Sequence, residues 1–141
     1  MSATGTEARQ RGAFLTTIAV LLALLALSNF TKPLQNLRDH TKGLVVFGAR
    51  LETVGRNAVF GPLFGAVIAA YAYGIWRMKA WVLPLSIAYA FYVPVNLVLF
   101  WFIHPEIPRP PVIGIVLYLA VALTGSVGTA IYLAYHHDQL S

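Results

Sequence analysis

The sequence predicts an all-α integral membrane protein, a bundle of four transmembrane helices that forms one transmembrane domain over residues 1–141. Of the 141 residues, 58% are hydrophobic and 11% are charged, with a mean hydropathy of +0.70, which is too apolar for a soluble domain. Four apolar stretches, at about 12–30, 58–76, 80–103 and 112–135, reach the roughly 20 residues that cross a bilayer core. Every Lys, Arg, Asp and Glu lies outside these stretches.

The first apolar stretch follows a small polar start that contains Arg9 and Arg11. This arrangement also fits a secretory signal peptide, because basic residues, an apolar run and a small-x-small end at 26–28 would allow cleavage. The length of the run favours an uncleaved first transmembrane helix.

Residues 31–57 form a longer connection, which we expect to be partly amphipathic. It places five basic and two acidic side chains around a half-apolar middle at 43–48. Connections of this length are usually functional or lie on the membrane. Two alternatives are open: Leu34, Leu37 and Phe47 dip into the membrane interface, or the segment is a solvated loop.

Small residues on the second and fourth helices predict close helix packing. In lipid, helices associate through van der Waals contact, and small residues at a spacing of four let two backbones approach on one face. The predicted packing positions are Gly61, Gly65, Ala69 and Gly74 on the second helix and Gly125 on the fourth.

A polar face is predicted on the third helix, where Ser86, Tyr89 and Asn96 recur at helical spacing and Tyr71 of the second helix can face them. Such a face either forms hydrogen bonds between helices or lines a pocket for a small molecule or lipid. Because an amide in hydrocarbon is costly unless paired, we expect Asn96 to point into the bundle. Its expected partner is a neighbouring helix or the carbonyl near Ala90, which a proline leaves open.

The sequence predicts no catalytic, cofactor-binding or metal-ligating residues. The apolar stretches hold no carboxylate for proton-coupled export and no histidine for haem, and the absence of cysteine excludes thiolate chemistry. His104 and Glu106 should lie at the opposite end of the bundle from His136 and Asp138, so the two pairs cannot share a metal. We expect no nucleic-acid partner, because the basic residues sit in the joints between apolar runs.

A basic turn between Trp76 and Trp81 joins the second and third helices, as is typical of a membrane surface. The surrounding stretch 71–85, YAYGIWRMKAWVLPL, resembles small four-span bacterial inner-membrane proteins of unknown function. The resemblance implies the four-span topology and brings no active site with it. On this basis we expect a bacterial inner (plasma) membrane.

Four spans place both termini on one side of the membrane. That side would carry the basic residues Arg9, Arg11, Arg77 and Lys79. The other side would carry Lys32, Arg38, Lys42, Arg50, Arg56 and Arg109. The count alone favours an external N-terminus. The first helix usually dominates orientation, however, and the shortest loop holds two basic residues in three, so we expect cytoplasmic termini.

The absence of buried charge and the glycine-rich faces indicate a non-enzymatic accessory, assembly or scaffold subunit that packs against other membrane helices. The alternative is a small oligomeric transporter or channel, and a third possibility is a membrane enzyme that acts on lipid. The expected partners are membrane lipids and a homo- or hetero-oligomer with other membrane proteins.

Overall fold

The computed structural model describes residues 11–141; Arg9, which enters the orientation argument, lies outside the described residues. Four helical segments are long and apolar enough to span a membrane: α1 (Ala13–Phe30), α3 (Val54–Trp76), α4 (Val82–Ile103) and Val112–Tyr135. The last comprises α5 (Val112–Leu123), a π-helical turn (Thr124–Gly128) and α6 (Thr129–Tyr135). The predicted all-α fold with four candidate spans is confirmed.

Two of the predicted boundaries are wrong. The second span begins at Val54 rather than at residue 58, because the Thr53 hydroxyl accepts a hydrogen bond from Arg56 N at 3.3 Å and caps the helix. The earlier start brings Arg56 into the first turn of α3, where its side chain is exposed. The third span begins at Val82 rather than at residue 80. At the second span, hydropathy misses the polar first turn of the helix, since it responds only to the apolar run that follows.

The first connection folds into short elements of its own. It contains α2 (Lys32–Arg38), a 3-10 turn at His40–Lys42 and an antiparallel hairpin of β1 (Val45–Val46) and β2 (Ala49–Arg50). Burial, and secondly the charge of Lys42, lower the pKa of the Lys32 ammonium at the start of α2.

Asn57 ties this connection to the first turn of α3. Its side-chain oxygen accepts from Leu44 N at 2.8 Å, and its nitrogen donates to Leu51 O at 2.6 Å and Thr53 O at 2.9 Å. The side chain is fully buried, so each of these bonds is expensive to leave unmade. A single amide thus holds both ends of the hairpin segment against the helix.

The core lies mainly between α1 and α3, and α6 adds Leu133 to it. Within their most apolar stretches, α1 and α3 bury 33% and 39% of their residues, whereas the third and fourth spans each bury 11%. α5 buries none. The pair α1–α3 is therefore the packed unit of the chain, and most of the surface of α4 and α5 faces outward.

The turn between α3 and α4 is closed by a left-handed Met78 at φ 51°. Lys79 N donates to Gly74 O at 2.9 Å and Met78 N to Ile75 O at 3.1 Å, which is the Schellman arrangement. Glycine is usual at this position; here the Met78 side chain is buried, and its packing offsets the backbone strain. Ser141 returns to this turn and donates its N–H to Met78 O at 2.8 Å.

Candidate functional site

The hairpin β1–β2 packs against the second half of α4, at the end of the bundle that we call the hairpin end. Gly48 N donates to the side-chain oxygen of Asn96 at 2.8 Å, and the Tyr92 hydroxyl donates to Val45 O at 3.4 Å. The centroid of the Tyr92 ring lies 5.4 Å from that of Phe47, which it meets edge-on, and 6.1 Å from that of Phe64 of α3. The hairpin therefore contacts α4, and Tyr92 of α4 also packs against α3.

The tip of the hairpin approaches α4 so closely that it requires glycine. Phe47 and Gly48 both have positive φ, at 45° and 80°, as in the two-residue turn of a tight hairpin. A Cβ on Gly48 would lie 2.5 Å from the carbonyl carbon of Leu99 and 2.7 Å from Phe100 N. A phenylalanine at positive φ is uncommon and strained, and Phe47 meets Tyr92 from that position.

The partner predicted for Asn96 is wrong. Its side-chain oxygen accepts from Gly48 N, which belongs to the first connection and neither to a neighbouring helix nor to the backbone near Ala90. The physical reason is that the central N–H groups of a two-residue turn have no ladder partner. The Gly48 donor and the Asn96 acceptor satisfy one another in apolar surroundings.

The predicted polar face separates into two groups. Tyr71 and Tyr89 pack ring against ring at 5.6 Å, and the fully buried Ser86 lies beside Tyr71 and donates to Leu83 O at 2.7 Å. Asn96 lies ten residues beyond Ser86, about 15 Å along the helix. Within residues 11–141 the buried Tyr71 hydroxyl makes no well-formed hydrogen bond. The structure brings Tyr71, Ser86 and Tyr89 together and places Asn96 in the hairpin contact.

The predicted packing positions lie in different surroundings. A Cβ on Gly61 would lie 2.7 Å from Asn29 O, and one on Gly65 would lie 3.1 Å from Ala26 O, so both glycines face α1. A Cβ on Gly74 would lie 2.6 Å from the Trp81 ring. The half-buried Ala69 packs against the core. Gly125 is different, because, apart from its own helical turn, no atom of the described chain lies within 4 Å of its added Cβ.

Two polar side chains of the hairpin end, Arg50 and His104, are half-buried. Arg50 lies over the Phe100 ring at 5.6 Å, and His104 Nδ1 meets a Glu106 oxygen at 3.1 Å. A hydrogen bond from its own backbone, and then the His104 ring, lower the pKa of the exposed Glu106 carboxyl. In the described part of the chain, no group of three His, Asp or Glu side chains could hold a metal ion.

At the opposite end, which we call the basic-turn end, Arg11 joins the turn between α3 and α4. Its guanidinium stacks on the Trp76 ring at 3.6 Å and donates to Trp76 O, while its Nε donates to the Thr16 hydroxyl at 2.9 Å. Sequence reasoning assigned Arg11 to orientation only. The signal that could have found this contact is the antiparallel order of the spans, which brings Arg11 and Arg77 to the same end.

These features define the class of the protein: an α-helical membrane protein with four candidate spans and a hairpin packed against α4. A comparison of the chain with protein-family models, curated proteins and solved structures finds no significant match. The resemblance of the stretch 71–85 to small bacterial inner-membrane proteins stays a prediction.

Proposed function

We propose that this protein is a non-enzymatic accessory, assembly or scaffold subunit that packs against other membrane helices. The observation that carries the proposal is the uncovered face at Gly125, on a span that buries little within the chain. Glycine in a transmembrane helix permits close backbone approach, and that advantage is realised only when another helix lies there.

The π-helical turn around Gly125 supports this interpretation. The Ser126 hydroxyl donates to Ala122 O and the Thr129 hydroxyl donates to Gly125 O, each at 2.7 Å. These bonds satisfy carbonyls that the wider turn shifts out of the α-helical pattern. The span therefore keeps an irregular, small-residue surface without leaving polar groups to the lipid. π-Turns occur frequently at functional positions of helices.

The charge distribution favours a structural subunit over a proton-coupled transporter. In the described spans, Arg56 is the one charged side chain, and it is exposed in the first turn of α3. Carriers that couple transport to protons need an ionisable group near the middle of the membrane. A transporter or channel would therefore have to arise from an oligomer of this chain.

Gly125→Leu tests the proposal together with purification in mild detergent and mass determination. We expect the wild-type chain to copurify with a stoichiometric membrane-protein partner, and Gly125→Leu to lose it, because a leucine side chain fills the space of the partner backbone. The control Gly55→Leu, also uncovered but in the first turn of α3, should keep the partner. A symmetric homo-oligomer would instead support a transporter or channel, and a monomer without a partner would contradict both.

Localisation in a bacterial inner membrane with cytoplasmic termini is part of the same proposal. Because the chain has no cysteine, single substitutions report sidedness directly. In intact cells, a maleimide that cannot cross the membrane should label Glu106→Cys at the hairpin end and leave Ser141→Cys unlabelled until the cells are opened. The reverse pattern would contradict the orientation, and labelling of both from outside would contradict the four spans.

A further inference from the structure

An apolar groove runs along the outer side of the α1–α3 contact. Its volume is about 390 Å³. Small and large apolar side chains of both helices line it: Ala19, Ala23, Ala26, Leu27, Phe30, Ala69, Ala72, Tyr73 and Trp76. From residue 19 to residue 30 the groove follows α1 for about 16 Å, roughly half of a 30 Å bilayer core. Because Phe30 ends α1 at the hairpin end and Trp76 ends α3 beside Arg11, the groove extends from one end of the α1–α3 pair towards the other.

A polar pocket of about 400 Å³ lies at the basic-turn end. Three cationic side chains line it, those of Arg11, Arg77 and Lys79, together with Trp76, Met78 and Ser141. Among residues 11–141, no Asp or Glu side chain contributes to this lining. The stacking of Arg11 on Trp76 and its bond to Thr16 hold one of these cations in place. The pocket therefore combines three cationic side chains, one of them held in place, with the C-terminal residue Ser141.

Trp76 borders both the groove and the pocket. Its ring is half exposed at the end of α3, at the depth where indoles occupy the membrane interface. The apolar groove is thus continuous with a cationic pocket, and the change from apolar to cationic falls at the boundary between acyl chains and headgroups.

We infer that this continuous surface is a binding site for one anionic phospholipid. The phosphate lies among Arg11, Arg77 and Lys79, and one acyl chain lies in the groove between α1 and α3. A transmembrane helix would complement the groove but would leave the cationic pocket unfilled. An amphiphile with an anionic head complements both parts. The basic clusters of membrane proteins bind anionic headgroups through the same electrostatic attraction.

The test is native mass spectrometry of the purified full chain in detergent, with phosphatidylglycerol and phosphatidylcholine of identical dioleoyl chains. We expect the wild type to bind one phosphatidylglycerol about tenfold more tightly than phosphatidylcholine. Arg77→Gln combined with Lys79→Gln should abolish this preference, because each lost cation weakens the attraction to the headgroup. The matched pair Arg38→Gln and Arg56→Gln, exposed and at the hairpin end, removes the same charge and should keep the preference.

A second pair of variants tests the groove. Ala23→Leu adds bulk to an exposed groove position and should weaken phosphatidylglycerol binding several-fold at an unchanged melting temperature. Ala120→Leu, exposed on α5, should leave the affinity unchanged. Glycerol phosphate should fail to displace the bound lipid.

Three results would each overturn the inference: equal affinity for the two lipids, equal loss of preference in both pairs of basic variants, or displacement by glycerol phosphate at concentrations comparable to the lipid. Binding that is unaffected by Ala23→Leu would likewise overturn the site, because no acyl chain would then occupy the groove. These measurements need no protein partner, so they stand or fall separately from the proposed subunit role.

Discussion

Gly48→Ala is expected to detach the hairpin from α4 and to lower the free energy of unfolding by about 3 kcal/mol. The left-handed backbone at φ 80° costs an alanine about 1 to 2 kcal/mol. The added Cβ would also lie 2.5 Å from the carbonyl carbon of Leu99, a backbone atom of α4 that cannot rotate away. Melting in detergent and amide hydrogen exchange over residues 43–51 measure the two consequences.

Gly55→Ala is the control for this experiment, because no described atom lies within 4 Å of its added Cβ. In a helix this change should be neutral or stabilising by up to about 1 kcal/mol. Hydrogen exchange of the hairpin at the wild-type rate in Gly48→Ala would show that the tip does not pack on α4.

Asn96→Leu should lower the free energy of unfolding by a smaller amount, because it weakens the same contact between the hairpin and α4. It removes the acceptor of Gly48 N and leaves that donor unpaired, at a cost of about 1 to 3 kcal/mol. Tyr89→Phe is a suitable comparison, since it changes the same helix away from the hairpin. If Asn96→Leu speeds exchange no more than Tyr89→Phe does, the hydrogen bond to Gly48 contributes nothing to the position of the hairpin.

Gly61→Leu should separate α1 from α3 and lower the free energy of unfolding by about 3 kcal/mol. A Cβ at this position would already lie 2.7 Å from Asn29 O and 3.2 Å from the Lys32 Cβ, before the rest of the leucine side chain is placed. Overpacking of this kind usually costs about 1 to 3 kcal/mol, and here it acts on the most extensive helix contact of the chain. A lower melting temperature in detergent is the readout.

Gly65→Leu should have a similar but smaller effect, because its added Cβ would meet Ala26 O at 3.1 Å and the edge of the Phe30 ring, which can move. Gly125→Leu serves as the control, since its Cβ meets nothing in the described chain and the melting temperature of the isolated protein should stay unchanged. Equal melting temperatures for Gly61→Leu and Gly125→Leu would show that the Gly61 face does not hold α3 against α1.

The number and position of the spans follow from the sequence alone, and the reason is physical. A bilayer core of about 30 Å demands roughly 20 apolar residues per helix, and lipid offers the backbone no hydrogen bonds outside the helix. Neither requirement depends on which helices become neighbours. Spacing of small residues placed Gly61 and Gly65 on one face of the second helix for a related reason: the helical period alone decides which residues share a face.

The helix boundaries were harder to predict from the sequence, because they depend on single polar contacts. Thr53 caps α3 and Asn57 binds the preceding chain, and both precede the apolar run that hydropathy detects. The hairpin was also missed. Its strands have two residues each, and its turn is Phe47-Gly48 rather than one of the asparagine-glycine or aspartate-glycine pairs that announce such turns.

Only the tertiary structure decided what the polar groups contact. Asn96 accepts a hydrogen bond from Gly48, 48 residues away in the sequence, and Arg11 donates one to Trp76, 65 residues away. Residue type indicates that a buried amide or a guanidinium needs a hydrogen-bond partner. Periodicity along a helix, however, does not show which distant loop supplies that partner. The partner is selected by which free backbone groups the folded chain brings within about 3 Å.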